Sequence, residues 1–263
     1  MNVICLIKQV PDTASSVFPT SDGKDITREG LGYVINPYDE YGIEEALKVR
    51  EKQGGTVTLV TIGPDRAEAA LRQGLAMGAD AGVHIEDVAF VHSDSFTTAL
   101  VLAKAIEALK LEYDLIFCGK QAVDDDYAQV GAIVAEFLNI PCISLAVKIE
   151  FAGKIVKVHR ELEGETEIVE ANLPIVVTCQ KGLNEPRLPS LKGIMVAKKK
   201  EIKNVGMSEL GLSRDSVGGA VSKVELLGLS LPPEKKGGKI LEGEVDAVVK
   251  EAVCLLREEA KVI

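Results

Sequence analysis

Apolar and polar positions alternate over the first two-thirds of the chain in the pattern typical of strands that are each followed by a helix. Short apolar runs predict strands at residues 2–8, 56–62, 82–85 and 114–118. Longer segments with apolar residues at helical spacing predict helices at residues 37–53, 66–77, 95–109 and 128–138. Because these elements alternate with short connections, the sequence predicts an α/β fold with a mostly parallel sheet covered on both faces.

Local signals mark both ends of the first helix. Asn36 is a residue type favoured at the N-cap, and Pro37 suits the first helical position. Gly54 and Gly55 end the helical pattern. The sequence therefore predicts that Asn36 caps a helix that begins at Pro37.

The pattern changes after Pro141. Strand-like runs separated by glycine-containing turns predict an antiparallel meander and then a buried strand, at residues 146–151, 155–162, 166–169 and 174–178. From about Gly182 the chain is turn-rich and polar, with an arm at residues 204–239 and a last predicted helix at residues 244–259. A long arm of this kind usually covers a partner. We therefore expect an α/β domain over residues 1–182, and a partner-recognition loop with a C-terminal arm over residues 183–263.

Composition and charge argue against several function classes. The formal net charge of −10 and the 4% aromatic content argue against nucleic acid binding. No apolar run is long enough to cross a bilayer, and the chain opens with a strand rather than a signal peptide, so we expect a cytoplasmic protein. The dispersed cysteines and histidines form no pattern typical of metal, iron–sulfur or catalytic sites. Four of the five cysteines lie in or beside apolar strands, which predicts buried thiols.

The most informative segment is the polar turn at residues 119–131, Gly-Lys-Gln-Ala-Val-Asp-Asp-Asp-Tyr-Ala-Gln-Val-Gly. It joins a predicted strand to a predicted helix, and open α/β sheets bind ligands at such positions. The backbone N–H groups of residues 128–130 would lie at the start of the helix, where they have no intrahelical partner and can hold a phosphate. The sequence therefore predicts a nucleotide or dinucleotide site.

Three carboxylates in this turn, Asp124, Asp125 and Asp126, would repel a phosphate. We therefore expect them to cap the helix N-terminus, to be solvated or to bind ribose hydroxyls. Ligation of Mg²⁺ beside a phosphate is a further interpretation.

Five further motifs stand at residues 3–13, 36–39 with 44–47, 76–80, 119–126, and 184–187 with 190–195 and 197–200. In their order and approximate spacing they resemble the β subunit of electron transfer flavoproteins. One such motif would be a weak signal, but five together are specific.

The resemblance implies a heterodimer with a larger α subunit that carries an electron-transferring FAD. It also implies a flavodoxin-like or adenine-nucleotide-hydrolase-like fold, whose cleft binds AMP or a second FAD without catalytic side chains or a metal. The nucleotide contacts that it implies are Leu6, Asn36, Pro37, Tyr38, Asp39, Ile62, Gly119, Lys120, Gln121, Ala122, Val123, Asp124, Asp125, Asp126, Tyr127, Ala128, Gln129 and Val130.

The family contains two kinds of β subunit. In simple one-electron carriers AMP fills the cleft, whereas in bifurcating members a second FAD accepts hydride from NADH or NADPH and splits the electron pair. Residues 128–131, Ala-Gln-Val-Gly, match the bifurcating pattern, while Asp125, Tyr127 and Ala132 depart from it. Simple carriers typically read Asn-Gln-Thr where this chain reads Ala128-Gln129-Val130. Ala and Val in place of that Asn and Thr leave a more apolar wall that suits a flavin. We therefore expect FAD, with AMP as the alternative.

Residues 189–195 resemble the loop by which the family docks on flavin-dependent dehydrogenases, such as acyl-CoA dehydrogenases. Leu191 matches the anchoring leucine, Ile194 and Met195 extend the apolar surface, and the lysines at residues 198–200 suit electrostatic steering. The sequence thus predicts a β subunit that takes part in NAD(P)H-dependent, flavin-based electron bifurcation with such a dehydrogenase.

Two alternatives remain at this point. One is a simple one-electron carrier with structural AMP, and the other is a non-redox, nucleotide-binding regulatory module. Such a module would lack the segment at residues 183–200 and would usually carry a glycine-rich phosphate loop, and no G-x-G-x-x-G occurs here. A hydrolase is disfavoured because no Ser/His/Asp set is apparent.

Overall fold

The computed structural model describes residues 1–233 and 237–263. The strands are β1 (Val3–Leu6), β2 (Gln9–Pro11), β3 (Tyr33–Ile35), β4 (Val57–Ile62), β5 (Ala81–Ile85), β6 (Leu115–Gly119), β7 (Cys142–Ala152), β8 (Ile155–Leu162), β9 (Glu165–Asn172), β10 (Ile175–Cys179) and β11 (Ile202–Val205). The α-helices are α1 (Pro37–Gln53), α2 (Glu68–Met77), α3 (Ser95–Ala108), α4 (Val130–Phe137), α5 (Leu191–Ala197) and α6 (Val245–Cys254).

One nine-stranded sheet organises the molecule, with the order β11-β5-β4-β1-β6-β10-β7-β8-β9. Every pairing from β11 to β7 is parallel, and the pairings of β7 with β8 and of β8 with β9 are antiparallel. The predicted α/β fold, with its mostly parallel sheet and antiparallel extension, is therefore confirmed. β2 and β3 form a separate antiparallel pair.

The core lies in two layers, one on each face of the sheet. Successive side chains of a strand point to opposite faces, so Val3 and Cys5 of β1 join the layer that α1 and α2 cover. Ile4 and Leu6 join the layer that α3 and α4 cover. Burial on both faces explains why the central strands are apolar without alternation.

The strand order places a topological switch point at β1. The chain continues from β1 through α1 to β4 on one side, while β6 pairs with the other side of β1. Open α/β sheets bind their ligands in the crevice outside the carboxyl ends of such strands. The topology therefore directs attention to the ends of β1 and β6.

Two departures from the predicted elements bear on the site. Helix α4 begins at Val130, two residues later than predicted, because Asp126 and Ala128 have φ angles of 53° and 55°. These left-handed conformations cannot continue into a right-handed helix. The turn-rich segment after Gly182 also contains α5, and β11 pairs in parallel with β5. The sheet of the first predicted domain thus includes a strand from beyond residue 182, and the division there stays a prediction.

The C-terminal region is mostly exposed. No residue of α6 is buried, and α6 continues into a π-helical turn at Leu255–Glu259. The predicted arm includes residues 234–236, which lie outside the described residues. Within residues 1–233 and 237–263, no helix has both the length and the apolar composition needed to span a membrane.

The prediction of buried thiols is confirmed for three cysteines. Cys5, Cys118 and Cys179 are buried, whereas Cys142 is partly exposed and Cys254 is exposed on α6. Burial raises the pKa of the Cys5, Cys118 and Cys179 thiols. They therefore remain protonated and pack as small apolar side chains.

Candidate functional site

A cleft of about 230 Å³ lies at the switch point, outside the carboxyl ends of β1 and β6. The end of β1, the start of α1, the β6–α4 loop and the N-terminus of α3 converge on it. The lining residues are Leu6, Ile7, Lys8, Asn36, Asp39, Ile62, Thr98, Leu102 and Asp125, with residues 93–95, 118–122 and 127–131.

Most residues that the resemblance implied line this cleft. They are Leu6, Asn36, Asp39, Ile62, Gly119, Lys120, Gln121, Ala122, Asp125, Tyr127, Ala128, Gln129 and Val130. The remaining implied residues belong to the same segments but do not line it, and they are Pro37, Tyr38, Val123, Asp124 and Asp126. The fold brings distant segments of the sequence together, and a nucleotide contact by each residue stays a prediction.

Asn36 joins the start of α1 to the β6–α4 loop. Its Nδ2 donates to the carbonyl oxygen of Gln121 at 2.8 Å, and its Oδ1 accepts from the N–H of Val123 at 3.1 Å. Asn36 occupies the predicted N-cap position of α1, with Pro37 at the first helical position, but its side chain makes no capping hydrogen bond because both of its polar groups bond to the loop. Asn36 instead fixes the loop that borders the cleft.

Asp39 ties the ends of β1 and β6 together. It is 5% exposed, its Oδ2 accepts from the N–H of Lys8, and its Oδ1 accepts from the N–H of Gly119, both at 2.7 Å. Burial raises the pKa of Asp39 to about 7, against these hydrogen bonds, which favour the carboxylate. Because both carboxylate oxygens already accept N–H donors, Asp39 positions the strand ends.

Gly119 is required by the packing of α1. A Cβ at this position would lie 2.5 Å from Oδ1 of Asp39 and 2.6 Å from the Cβ of Tyr38. Glycine therefore allows the first turn of α1 to approach the end of β6, and any larger residue would displace Asp39.

The N-terminus of α4 presents backbone donors to the cleft. No other described residue accepts a hydrogen bond from the N–H of residues 129–132, and the first helical bond runs from Ile133 N–H to the Gln129 carbonyl at 3.0 Å. Gly131 lets this turn approach the sheet, since a Cβ there would lie 2.5 Å from Sγ of Cys118. Unpaired N–H groups at a helix N-terminus bind anions. These donors, beside apolar Leu6 and Ile62, fit a phosphate with an attached nucleoside.

The three aspartates at residues 124–126, which we call the acidic turn, do not cap α4. Gln129 occupies the N-cap position and makes no side-chain capping bond. The left-handed backbone at Asp126 and Ala128 breaks the helical path between the three aspartates and the first turn of α4. Instead, Nζ of Lys8 lies 2.7 Å from Oδ1 of Asp124 and 2.8 Å from Oδ2 of Asp125. The capping interpretation is therefore wrong.

Asp126 also stays within the loop, where its carboxylate accepts from the side-chain amide of Gln121. Among the described residues, no group of three or more His, Cys, Asp or Glu side chains is arranged to hold a metal ion.

The sequence did not identify Lys8 or the start of α3 as parts of the site. The start of α3 reaches the cleft because α3 follows the connection that leaves the carboxyl end of β5. The lining residues from this region are Ser93, Asp94, Ser95 and Thr98. Asp94 caps α3, its Oδ1 accepting from the N–H of Thr97 at 2.8 Å. An Asp immediately before a run with apolar residues at helical spacing is a recognisable N-cap signal. The sequence alone did not show that the start of α3 faces the cleft at the ends of β1 and β6.

A second set of contacts fixes the segment that precedes α5. Arg187 Nε lies 2.8 Å from Oε2 of Glu44, and its guanidinium also pairs with Glu51. The Glu44 side chain is 4% exposed. Asn184 Nδ2 donates to the Tyr41 carbonyl and to Oε2 of Glu45, both at 3.0 Å. The start of this segment is therefore held on α1.

The residues that follow Arg187 form an exposed apolar surface, which we call the docking segment (residues 188–196). Leu188, Leu191 and Met195 are 91%, 85% and 68% exposed, and Ile194 is 41% exposed. Side chains of this type rarely cluster on the surface of a monomeric protein without a partner. The three sequence-predicted partner residues thus share one surface.

Comparisons with known proteins add a family context to this geometry. A family model described as the electron transfer flavoprotein domain matches residues 24–210. The electron transfer flavoprotein subunit beta of Thermoanaerobacterium thermosaccharolyticum is 43% identical over 255 residues, which is 96% of each chain. The corresponding subunit of Bacillus subtilis is 43% identical over 265 residues, or 100% of each chain. The caffeyl-CoA reductase-Etf complex subunit CarD of Acetobacterium woodii is 36% identical over 261 residues, or 98% of this chain and 99% of its own.

Proposed function

The chain belongs to the electron transfer flavoprotein family as a β subunit, and from this premise we propose that its cleft binds FAD and serves NAD(P)H-dependent, flavin-based electron bifurcation. The observation that carries the proposal is the row of unpaired N–H groups at residues 129–132 beside the apolar wall of the cleft. When bound, a flavin supplies the hydride and single-electron chemistry. The residues of this chain would bind it, orient it and exclude water.

The pyrophosphate end of the ligand is assigned to the start of α4. Four adjacent N–H groups with no acceptor among the described residues suit phosphate oxygens, and the helix dipole adds to the attraction. The bonds of Asn36 and Asp39 support this assignment, because they fix the β6–α4 loop before any ligand arrives. A fixed loop loses little conformational entropy on binding.

The choice of FAD over AMP follows from the wall of the cleft. Ala128 and Val130 line it together with Leu6, Ile62 and Leu102, which gives one part of the otherwise polar cleft an apolar wall. Apolar walls with few polar groups suit a flat, largely apolar ring. This observation favours a flavin at the site.

AMP is the second candidate, and a specific observation favours it. The volume of about 230 Å³ lies below the roughly 300–1,000 Å³ typical of pockets for larger ligands. A mononucleotide matches this volume better than a dinucleotide, whose second half would extend past Tyr127, a side chain that is 50% exposed. In that case the chain would act as a simple one-electron carrier.

Cofactor counting on the purified heterodimer tests the proposal. The chain is co-expressed with its α subunit, and the released cofactors are quantified by chromatography. Two FAD per heterodimer, with reduction by NADH or NADPH, supports bifurcation. One FAD with one AMP supports the simple carrier, and no nucleotide bound to the β subunit would overturn both.

A double variant sharpens this test. Ala128→Asn with Val130→Thr introduces the polar groups of the AMP-type pattern, so we expect the FAD content of the cleft to fall and the AMP content to rise. Val88→Thr is the control, because Val88 is 76% exposed and does not line the cleft. If the double variant retains two FAD, the apolar wall does not select the flavin.

We also propose that the docking segment binds a flavin-dependent dehydrogenase, such as an acyl-CoA dehydrogenase. Leu191 is the proposed anchor, with Ile194 and Met195 beside it, since a small apolar knob can fill a partner pocket. The exposed apolar side chains of α6, including Val245 and Val249, support contact of the C-terminal arm with the α subunit. Truncation after residue 239 tests the arm, and we expect loss of co-purification with the α subunit.

A further inference from the structure

The cleft combines phosphate-binding amides with an acidic rim. Asp94 and Asp125 line it, and Asp124 and Asp126 belong to the same loop. Carboxylates a few ångströms from a phosphate weaken its binding through charge repulsion. A nucleotide site built on the α4 amides therefore needs a cation that offsets these charges.

Lys120 is not placed to offset the charge of the acidic turn. It is one of the two cationic residues that line the cleft, the other being Lys8. Nζ of Lys120 lies 5.0 Å from the centre of the Tyr38 ring, a cation–π arrangement. It takes part in none of the ion pairs found in the described part of the chain. The acidic turn must therefore be compensated by Lys8.

Lys8 is held at the required position by both its backbone and its side chain. Its N–H donates to Asp39, and its carbonyl accepts from the N–H of Asn36 at 2.9 Å. Its ammonium contacts Asp124 and Asp125 at 2.7 and 2.8 Å. The ammonium is thus fixed at the junction of the acidic turn and the cleft.

Lys8 also keeps its charge and remains accessible to a ligand. Burial lowers the pKa of Lys8, but the charges and hydrogen bonds of Asp124 and Asp125 outweigh burial, so the pKa lies above its ordinary value. The Lys8 side chain is 42% exposed. A fixed ammonium of this kind can act on a phosphate that enters the cleft.

We propose that Lys8 is the positioning residue that makes the cleft selective for phosphorylated adenine ligands, because it neutralises Asp124 and Asp125 beside the α4 amides. The proposal rests on the nucleotide site proposed above. The proposal explains why an acidic turn lies next to a phosphate site. Asp124 and Asp125 orient Lys8, and the positive charge of Lys8 offsets their negative charges. Without Lys8, Asp125 in the lining of the cleft and Asp124 next to it would be uncompensated near the phosphate, while a neutral nucleoside would be unaffected.

The test compares ligands that differ only in phosphate charge. The full chain with its α subunit, freed of the nucleotide in its cleft, is titrated calorimetrically with adenosine, AMP and ADP. For Lys8→Gln we expect the affinity for AMP to fall about tenfold and the affinity for ADP to fall further. The affinity for adenosine should change by less than about twofold. In the triple variant Lys8→Gln, Asp124→Asn, Asp125→Asn we expect AMP affinity within about threefold of wild type.

Controls separate charge from folding. Lys104→Gln removes an exposed lysine that pairs with Glu107 on α3, away from the cleft, and should leave all three affinities unchanged. Lys8→Arg keeps the charge and should retain most AMP affinity. Equal losses for adenosine, AMP and ADP, or no loss of AMP affinity, would overturn the role of Lys8. If the wild-type cleft binds none of the three ligands, the proposed nucleotide site itself fails.

Discussion

The β6–α4 loop precedes the short helix α4, and the docking segment contains most of the short helix α5, but the two are held in the structure in different ways. The loop is held by Asn36, Asp39 and Lys8 through donors and acceptors that lie within this chain. The docking segment is held before its start by Arg187 and after its end by Arg72, which donates to the Ala197 carbonyl at 2.9 Å, and between them it presents exposed side chains such as Leu191. The first surface is complete before a ligand arrives, whereas the apolar side chains of the second are left uncovered by the described residues of this chain.

This difference matches the size of the ligand that we propose for each surface. A small ligand offers few contacts, so its site must be fixed in advance to limit the entropy lost on binding. A protein partner offers a large apolar area, so an exposed leucine can be covered at the moment of docking. Substitutions in the loop should therefore change the stability of this chain, and substitutions in the docking segment should change association alone.

The strongest test of this comparison is Asp39→Asn. The amide can accept only one of the two N–H groups of Lys8 and Gly119, and its NH₂ would oppose the other donor. We expect the free energy of unfolding to fall by about 3 kcal/mol, measured by urea denaturation. Asp65→Asn, at an exposed turn, should cost less than about 0.5 kcal/mol. If the two substitutions lower the free energy of unfolding equally, Asp39 does not have the structural role assigned to it.

Arg187→Ala tests the anchor that precedes the docking segment. It leaves the buried Glu44 carboxylate without its guanidinium partner, and because Arg187 is 35% exposed we expect a loss of about 2 kcal/mol rather than a full buried-pair effect. Hydrogen exchange should increase at residues 184–197 while the β6–α4 loop is unchanged. Lys192→Ala, on the exposed face of α5, is the matched control. Uniform exchange across both regions would show that the anchor is not local.

Leu191→Ala tests the claim that the docking segment acts only on association. Leu191 is 85% exposed, so we expect the urea midpoint to stay unchanged. Loss of an anchor should raise the KM for the partner dehydrogenase by about tenfold in electron-transfer assays. Val88→Ala, an exposed change on another surface, should alter neither quantity. A lower unfolding free energy for Leu191→Ala would contradict the comparison.

The smallest expected effect is at Ala128. Its φ of 55° is unfavourable for a residue with a Cβ, so Ala128→Gly should relieve strain and raise the free energy of unfolding by about 0.5 kcal/mol. Ala135→Gly, within α4, should instead lower it by about 1 kcal/mol. Urea denaturation of the two variants gives the comparison directly. Similar losses in both would mean that the backbone at Ala128 is not strained.

Much of the fold could be predicted because its signals are local or periodic. The apolar runs of β4 and β6 predict buried parallel strands, and the run from Pro37 to Gln53 coincides with α1. One local signal was right in part, and another misled. Asn36 occupies the predicted N-cap position, but its side chain bonds to a loop 85 residues away. Three aspartates precede α4 without capping it.

The candidate site could be predicted only in part, for a similar reason. Motif positions led to the β6–α4 loop, but Lys8 and Asp94 became visible only when β1 and α3 were placed around one crevice. β11 was missed because a four-residue strand carries little periodicity, and its pairing with β5 is non-local.

The sequence by itself determined which segments fold into strands and helices, because the spacing of apolar residues follows the period of each element. It also determined the family, because five motifs keep their order. Only the tertiary structure decided which polar side chains meet. Hydrogen bonds such as those of Asp39 with Lys8 and Gly119 join residues 31 and 80 positions apart. Such contacts depend on strand order and register, which local patterns do not encode.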